Sequence, residues 1–180
     1  MNKVIYVVDT QFDFMDPKGS LYIGKEAEGL ADRISQYIVG RKNECGNSLK
    51  IFHTLDWHKP NDAEFKKFPE HCVEYTVGAN SVLNNNALRF VDGFIEKNTY
   101  SPIGLHVDSN AKHEIAGVCT HLCVAHTAMH IYNLIRDWDP TQTPDITIYK
   151  DLIGDFNSTA AKQMLARLKE DCGVKIKTHF

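Results

Sequence analysis

Cys123, Asp9 and Lys97 each stand at or just beyond the end of an apolar run, and together they could make and serve a sulfur nucleophile. Cys123 lies in Gly117-Val118-Cys119-Thr120-His121-Leu122-Cys123-Val124. Ile115 to Val118 reads as the end of a buried strand, Thr120 as an N-cap, and His121 to about Arg136 as a helix. A cysteine in the first turn of a helix faces unpaired N–H groups and the positive end of the helix dipole, and both favour thiolate. Taken alone, such a cysteine is better explained as a small buried apolar residue. Asp9 closes the run Val4 to Val8. Alone it reads as a loop cap; beside a thiol it can take a proton and return it to a leaving amine. Asp13 is expected to bond the loop backbone. Lys97 follows a third apolar run, and by default such a lysine is solvated. Near the other two its ammonium would favour thiolate and ionised carboxylate. A rival scheme pairs Cys123 with His126, three residues on and on the same helical face. It ranks lower because two neighbours on one helix orient poorly around a substrate.

A second constellation sits in His53-Thr54-Leu55-Asp56-Trp57-His58. In extended chain, residues two apart point the same way, so Asp56 and His58 can grip one ion. Glu64 and His71 follow in the same loop and could close the site. Two histidines with two carboxylates suit zinc, iron or manganese. The chain has 9 histidines, so chance pairs are easy, and spacing alone leaves a metal loop and a solvated polar loop level. His53 is expected to be a strand residue, and His121 and His130 to lie on a polar face or at the core edge.

These groups need elements to hold them. Strand-like runs at Val4 to Val8, Leu49 to Leu55, Phe90 to Ile95, Ile115 to Val118 and Asp145 to Tyr149 alternate with helical patterns. The helical patterns are Leu30-Ile34-Tyr37-Ile38 with Gly46 as the stop, the segment from His121, and Thr159 to Lys169. Phe12 to Gly24 reads as a loop and Val174 to Lys177 as an edge strand. The expected fold is α/β: three layers, doubly wound, a mainly parallel sheet with helices on both faces, in one domain spanning 1–180. Asp9, Asp56, Lys97 and Cys123 then share the carboxyl ends of strands, where such sheets bind ligands. Asp56 to Asn86 is a long loop rich in aromatics, histidines and carboxylates, which favours function.

Composition bounds the partners. The chain has 180 residues and a formal net charge of −3, with charges interspersed, so no basic nucleic-acid surface is implied. No run approaches membrane-spanning length, and the opening run is too short for a signal segment. The 5 cysteines form neither CxxC pairs nor an even framework, which fits a reducing cytoplasm.

The motifs together resemble the isochorismatase-like cysteine hydrolases, and within them the nicotinamidases, also called pyrazinamidases. Asp9-Thr10-Gln11-Phe12-Asp13-Phe14 is similar to the family's D-x-Q-x-D-F, Asp56-Trp57-His58 to D-W-H, and Lys97 with Tyr100-Ser101 to K-x-x-Y-S. Phe68-Pro69-Glu70-His71-Cys72-Val73 with Thr76-Val77-Gly78-Ala79 resembles W/F-P-x-H-C-V…T-x-G-A, and Gly117 to Val124 resembles G-V-x-T-D-x-C-V. The resemblance spans nearly the whole chain, with five pieces in order. It implies a triad of Asp9, Lys97 and Cys123. It implies one divalent metal, zinc first and iron or manganese after it, on Asp56, His58 and His71 with Glu64 as the further ligand. It implies a cis peptide at Val118–Cys119, turning the Cys119 N–H toward that of Cys123 as an oxyanion hole, and a ring pocket walled by Phe14, Phe68 and Tyr100. The implied activity is hydrolysis of nicotinamide, with pyrazinamide a further substrate, by a cytoplasmic homo-oligomer. The rivals are another small-amide or isochorismate-type hydrolase of the same fold, or a non-hydrolytic metal or thiol-redox module. Three departures from the family pattern stand out: His121 replaces the usual aspartate, Cys119 replaces a small or apolar residue, and residues 102–113 form a shorter stretch than in most relatives, which usually have a clear helix there.

Overall fold

Five apolar runs and one short polar strand zip into a six-stranded sheet in the order β3-β2-β1-β4-β5-β6, with every pairing parallel. The computed structural model describes residues 2–180. The strands are β1 (Lys3–Val8), β2 (Leu49–Asp56), β3 (Gly93–Lys97), β4 (Lys112–Gly117), β5 (Asp145–Ile153) and β6 (Lys175–Lys177). The helices are α1 (Phe12–Met15), α2 (Leu30–Cys45), α3 (Asn85–Leu88), α4 (Ala125–Trp138) and α5 (Ser158–Cys172).

β1 shows why the sheet is covered on both sides. Alternate residues of a strand face opposite ways. Ile5 and Val7 pack with Leu30, Ile34, Tyr37 and Ile38 of α2 in one core. Val4, Tyr6 and Val8 pack with Ile131, Ile135 and Leu168 of α4 and α5 in the other. That is the doubly wound layering, and a strand buried on both faces must read as a continuous apolar run. α2 stops where the sequence expects it. Gly46 takes φ 55° and returns its N–H to the Lys42 carbonyl.

The chain runs outward from β1 to β2 and β3, then returns to place β4 on the other side of β1. The β1–β4 boundary is therefore the switch point, and a crevice opens beyond the carboxyl ends of its strands. Residues 98–111, between β3 and β4, hold no helix. Among the described residues no helix is long and apolar enough to cross a membrane.

The expected third strand at Phe90 to Ile95 is displaced. Phe90 and Val91 close the turn after α3, with N–H bonds to the Ala87 and Leu88 carbonyls, and pack as side chains against the core. Their apolar character serves packing rather than strand pairing, so β3 begins at Gly93 and Lys97 is its last residue. The expected loop Phe12 to Gly24 likewise holds α1 and the start of a 3-10 turn, Gly24–Ala27.

Candidate active site

Four strand ends deliver four chemically able groups. Asp9 follows β1, Asp56 ends β2, and Lys97 ends β3 in register with Asp56. Lys97 Nζ lies 2.7 Å from Asp9 Oδ2, 3.3 Å from Asp56 Oδ1 and 3.5 Å from Cys123 Sγ. Asp9 adopts φ 48°, which is uncommon for a residue with a Cβ. It is held there by its N–H on the Thr54 carbonyl and by the Thr54 hydroxyl, which donates to Asp9 Oδ1 at 2.7 Å.

Cys123 arrives from β4. At Gly117, with φ 121°, a Cβ would come within 2.0 Å of the Val8 carbonyl oxygen, so only glycine lets β4 close on β1. The Val118–Cys119 peptide is cis. The chain then winds one π-helical turn, Thr120–Val124, before α4. Thr120 is not the cap its type suggests. Cys119 occupies the N-cap position, and both the N–H and the hydroxyl of Thr120 donate to the Gly154 carbonyl at 3.0 Å. The loop after β5 sits close enough to take that hydroxyl. It also supplies the missing acceptor: buried Asp155 accepts the His121 N–H at 2.7 Å and contacts His121 Nδ1 at 2.6 Å. The Cys119 N–H donates no hydrogen bond among the described residues, and the Cys123 N–H sits in a first turn, where helical partners are lacking.

Burial overturns the expectation of a resting thiolate. It pushes the Cys123 thiol well above its ordinary range; Lys97 pulls down, and Asp9 and Asp56 add to the rise. Burial also raises the Asp9 carboxyl, against the pull of Lys97. For Lys97, burial opposes charge, but Asp9, Cys123 and Asp56 outweigh it and hold the ammonium protonated. The thiol keeps its proton until a base takes it. His126, the rival partner, lies against Tyr100 with ring centroids 5.4 Å apart.

Beside this cluster Asp56 Oδ2 lies 3.1 Å from both His58 Nε2 and His71 Nε2. Ligand atoms of Asp56, His58 and His71 fall within 4.8 Å of one another. His71 Nδ1 is 2.7 Å from the Pro69 carbonyl, which fixes the tautomer that leaves Nε2 free to ligate. Two imidazole nitrogens and a carboxylate oxygen on one point are a donor set for a divalent ion of the zinc, iron or manganese type. Glu64 Oε2 is 4.0 Å from His58 Nε2, on the nitrogen that also faces Asp56, whereas Asp62 Oδ2 is 3.1 Å from His58 Nδ1 on the opposite side of the ring. Glu64 lies on the Nε2 side of His58 but outside the Asp56–His58–His71 cluster, and Asp62 lies on the Nδ1 side.

The polar frame behind these groups is closed. Gln11 clamps the Asp56 backbone, its Nε2 donating to the carbonyl at 2.8 Å and its Oε1 accepting the N–H at 2.7 Å. Asp13 binds backbone, as expected, accepting the Cys72 N–H at 2.8 Å and the Ser20 N–H at 3.2 Å. A Cβ at Gly78 would fall 2.0 Å from Asp13 Oδ2, so the loop passes there only as glycine. His53 is structural, with Nδ1 3.1 Å from the Val7 carbonyl and Nε2 2.9 Å from Ser81 Oγ.

Both clusters open into one cleft of about 330 Å³, its mouth included. Phe14, Phe68 and Tyr100 line it with Asp56, Glu64, His71, Cys119 and Cys123. Leu21, Leu122 and Phe156 line it too and have no signal in sequence. Phe156 belongs to the same loop as Asp155, and that loop's role shows only in the neighbourhood of His121.

No protein-family model matches this chain. A protein of Bacillus subtilis, named as an uncharacterized isochorismatase family protein PncA, is 23% identical over 194 residues, covering 98% of this chain and 99% of that one. The crystal structure of the nicotinamidase/pyrazinamidase PncA from Bacillus subtilis superposes with a TM-score of 0.79 at 23% identity, covering 98% of this chain and 100% of that one. The pyrazinamidase of Pyrococcus horikoshii, solved in complex with zinc, gives 0.78 at 25% identity, covering 99% and 100%. The chain has the isochorismatase-like α/β fold.

Proposed function

We propose that this chain is a metal-containing cysteine amidohydrolase that converts nicotinamide to nicotinate and ammonia. The observation that carries the reading is the Lys97 ammonium, which touches Asp9, Asp56 and the Cys123 sulfur, behind an aromatic cleft lined by Cys123 and by Asp56 and His71 of the Asp56–His58–His71 donor set. The activities named for proteins of like fold point the same way.

Asp9, raised by burial, is the base that takes the Cys123 proton, and Lys97 holds the resulting thiolate and the carboxylate in place. The sulfur attacks the carboxamide carbon while the Cys119 and Cys123 N–H groups receive the oxyanion. Asp9 returns the proton to the departing ammonia, leaving a thioester. Asp9 then deprotonates water, which attacks the thioester, releases the acid and restores the thiol. Phe14, Phe68 and Tyr100 stack about the planar ring and exclude water from the thioester. Asp56, His58 and His71, with Glu64 beside them, would hold a divalent ion, zinc first, which supplies a Lewis-acid anchor for a ring nitrogen.

Ammonia release from nicotinamide, pyrazinamide, N-carbamoyl compounds and, by product analysis, isochorismate tests the reading. Nicotinamide is expected to be turned over best, and more slowly after chelation. Release from N-carbamoyl compounds alone, or turnover of isochorismate alone, would replace the substrate assignment. Undiminished activity in metal-free protein would remove the metal's role.

A further inference from the structure

Two thiols, not one, line the catalytic cleft. Cys119 and Cys123 both contribute to its wall, and both are free. They are wound into one tight turn, for the Cys119 carbonyl accepts N–H groups from Leu122 at 3.1 Å and Val124 at 3.2 Å. Both side chains face the same cleft. The mechanism uses the Cys119 backbone N–H and leaves its sulfur without a task. Of the other cysteines, Cys72 is fully buried with its Sγ 3.7 Å from the Gly78 carbonyl, and Cys45 and Cys172 lie outside the cleft.

We infer that Cys119 is a resolving thiol, which captures Cys123 after oxidation by a peroxide as a reversible Cys119–Cys123 disulfide. This rests on the reading of Cys123 as the nucleophile. Asp9 takes the Cys123 proton, and the sulfur, with Lys97 Nζ 3.5 Å away, attacks one oxygen of hydrogen peroxide. The O–O bond breaks, the sulfur is oxidised to sulfenic acid, and the displaced hydroxide takes the proton back from Asp9 and leaves as water. The Cys119 sulfur then attacks the sulfenic sulfur. The S–S bond forms, the S–O bond breaks, and a second water departs. Two thiols and one peroxide become one disulfide and two waters.

A disulfide needs its Cβ atoms about 3.5–4.5 Å apart. A bond formed at the cleft wall stays within reach of a small dithiol reductant. That suits protection of a nucleophile rather than a structural crosslink. Without Cys119, a sulfenic acid in this closed cleft would meet only further peroxide and pass to the irreversible sulfinic acid.

The test treats the purified protein with hydrogen peroxide, blocks remaining thiols with a maleimide, and maps the peptide spanning both cysteines by mass. The wild type should lose two hydrogens and two maleimide adducts in that peptide, and dithiothreitol should restore its turnover. Cys119→Ser and Cys119→Ala should instead gain two oxygens at Cys123, and irreversible inactivation should be about tenfold faster, each measured against its own untreated activity. Sulfinic acid accumulating equally fast in wild type and variants would overturn the proposal, as would a linkage to Cys45, Cys72 or Cys172. The mass readout needs no substrate. A disulfide forming in a protein inert to nicotinamide would sink the substrate assignment and leave this one standing.

Discussion

The sheet carries buried charge at both of its ends, and the two ends treat it differently. Towards the amino end of β4, the Glu114 carboxylate accepts the Tyr37 hydroxyl at 2.5 Å and Arg41 through Nε at 3.1 Å and Nη2 at 2.7 Å. Burial, followed by Glu114, pushes the Tyr37 phenol far up, and Glu114 holds Arg41 charged against burial. At the carboxyl end one ammonium, Lys97, is shared among Asp9, Asp56 and Cys123. Asp9 Oδ2 is close to that ammonium but lacks an aligned hydrogen bond. The ingredients are alike: carboxylate, cation, low dielectric. At Glu114 the acceptors match the donors, so nothing is left to react with. At Cys123 acceptors outnumber donors, which is the condition for moving a proton or holding a metal.

The largest effect should follow from removing the sulfur. Cys123→Ala is expected to lower nicotinamide turnover by about 10⁴-fold or more while leaving the fold intact, because a small buried side chain is replaced by a smaller one. Steady-state ammonia release beside a thermal melt checks this. Turnover within tenfold of wild type would mean that the unsaturated end is merely polar.

How far sequence reached differs between the same two ends. Asp9, Asp56 and Lys97 are legible because they stand at or just past the ends of parallel strands, and Cys123 because it stands in the turn that opens the helical segment following β4. Their mutual distances follow from register, which puts Asp56 opposite Lys97. Thr120 misled because capping is read from local types, whereas Gly154 and Asp155, some 34 residues away, set the partners of that turn. The resting thiolate misled for a related reason. A helix start favours charge, but burial depends on the whole fold, and burial won. Phe90 and Val91 were apolar for the core and not for a strand. The Tyr37–Arg41–Glu114 network had no sequence signal, since its members lie 73 and 77 residues apart.

Breaking the saturated end should cost stability and nothing else. Arg41→Met leaves Glu114 buried with only the Tyr37 hydroxyl, and unpairing a buried ion pair costs about 3–5 kcal/mol. Urea denaturation should show that loss while kcat/KM stays within about twofold of wild type, since the change is remote from the cleft. A kcat/KM falling in step with turnover of the Cys123 variant would erase the distinction between the ends.

His53 offers an intermediate case, a buried titratable group behind the site with both ring nitrogens engaged. Burial lowers its pKa from 6.5 to about 4, against the pull of the Val7 and Thr54 backbone. The unfolded chain therefore binds the proton first. His53 leaves stability untouched above pH 6.5 and subtracts from it as pH falls toward 4, by up to about 3 kcal/mol at 1.36 kcal/mol per unit. Denaturation at pH 7.5 and pH 4.5 should show a shallower acid loss in His53→Gln than in wild type. An unchanged slope would place the acid sensitivity elsewhere.

The smallest effect should come from Asp62, which separates holding a metal from orienting its ligand. Its carboxylate lies on the Nδ1 side of His58, away from the nitrogen that faces Asp56, and its other oxygen accepts the Glu64 N–H at 2.9 Å. Asp62 thus sets a negative charge behind the imidazole and shapes the backbone that presents Glu64, outside the Asp56–His58–His71 donor set. Changing such a supporting carboxylate typically costs about 10–100-fold in metal affinity. Asp62→Asn keeps the shape and the backbone acceptor but removes the charge behind His58. Zinc titration with a chromophoric competitor should show weakening in that range, and saturating zinc should restore most of the turnover. Glu64→Gln, at the ligating side, should weaken binding by more. If Asp62→Asn proved the more damaging of the two, the assignment of near and far carboxylates around His58 would be reversed, and the metal would have to sit on the Nδ1 side of the ring.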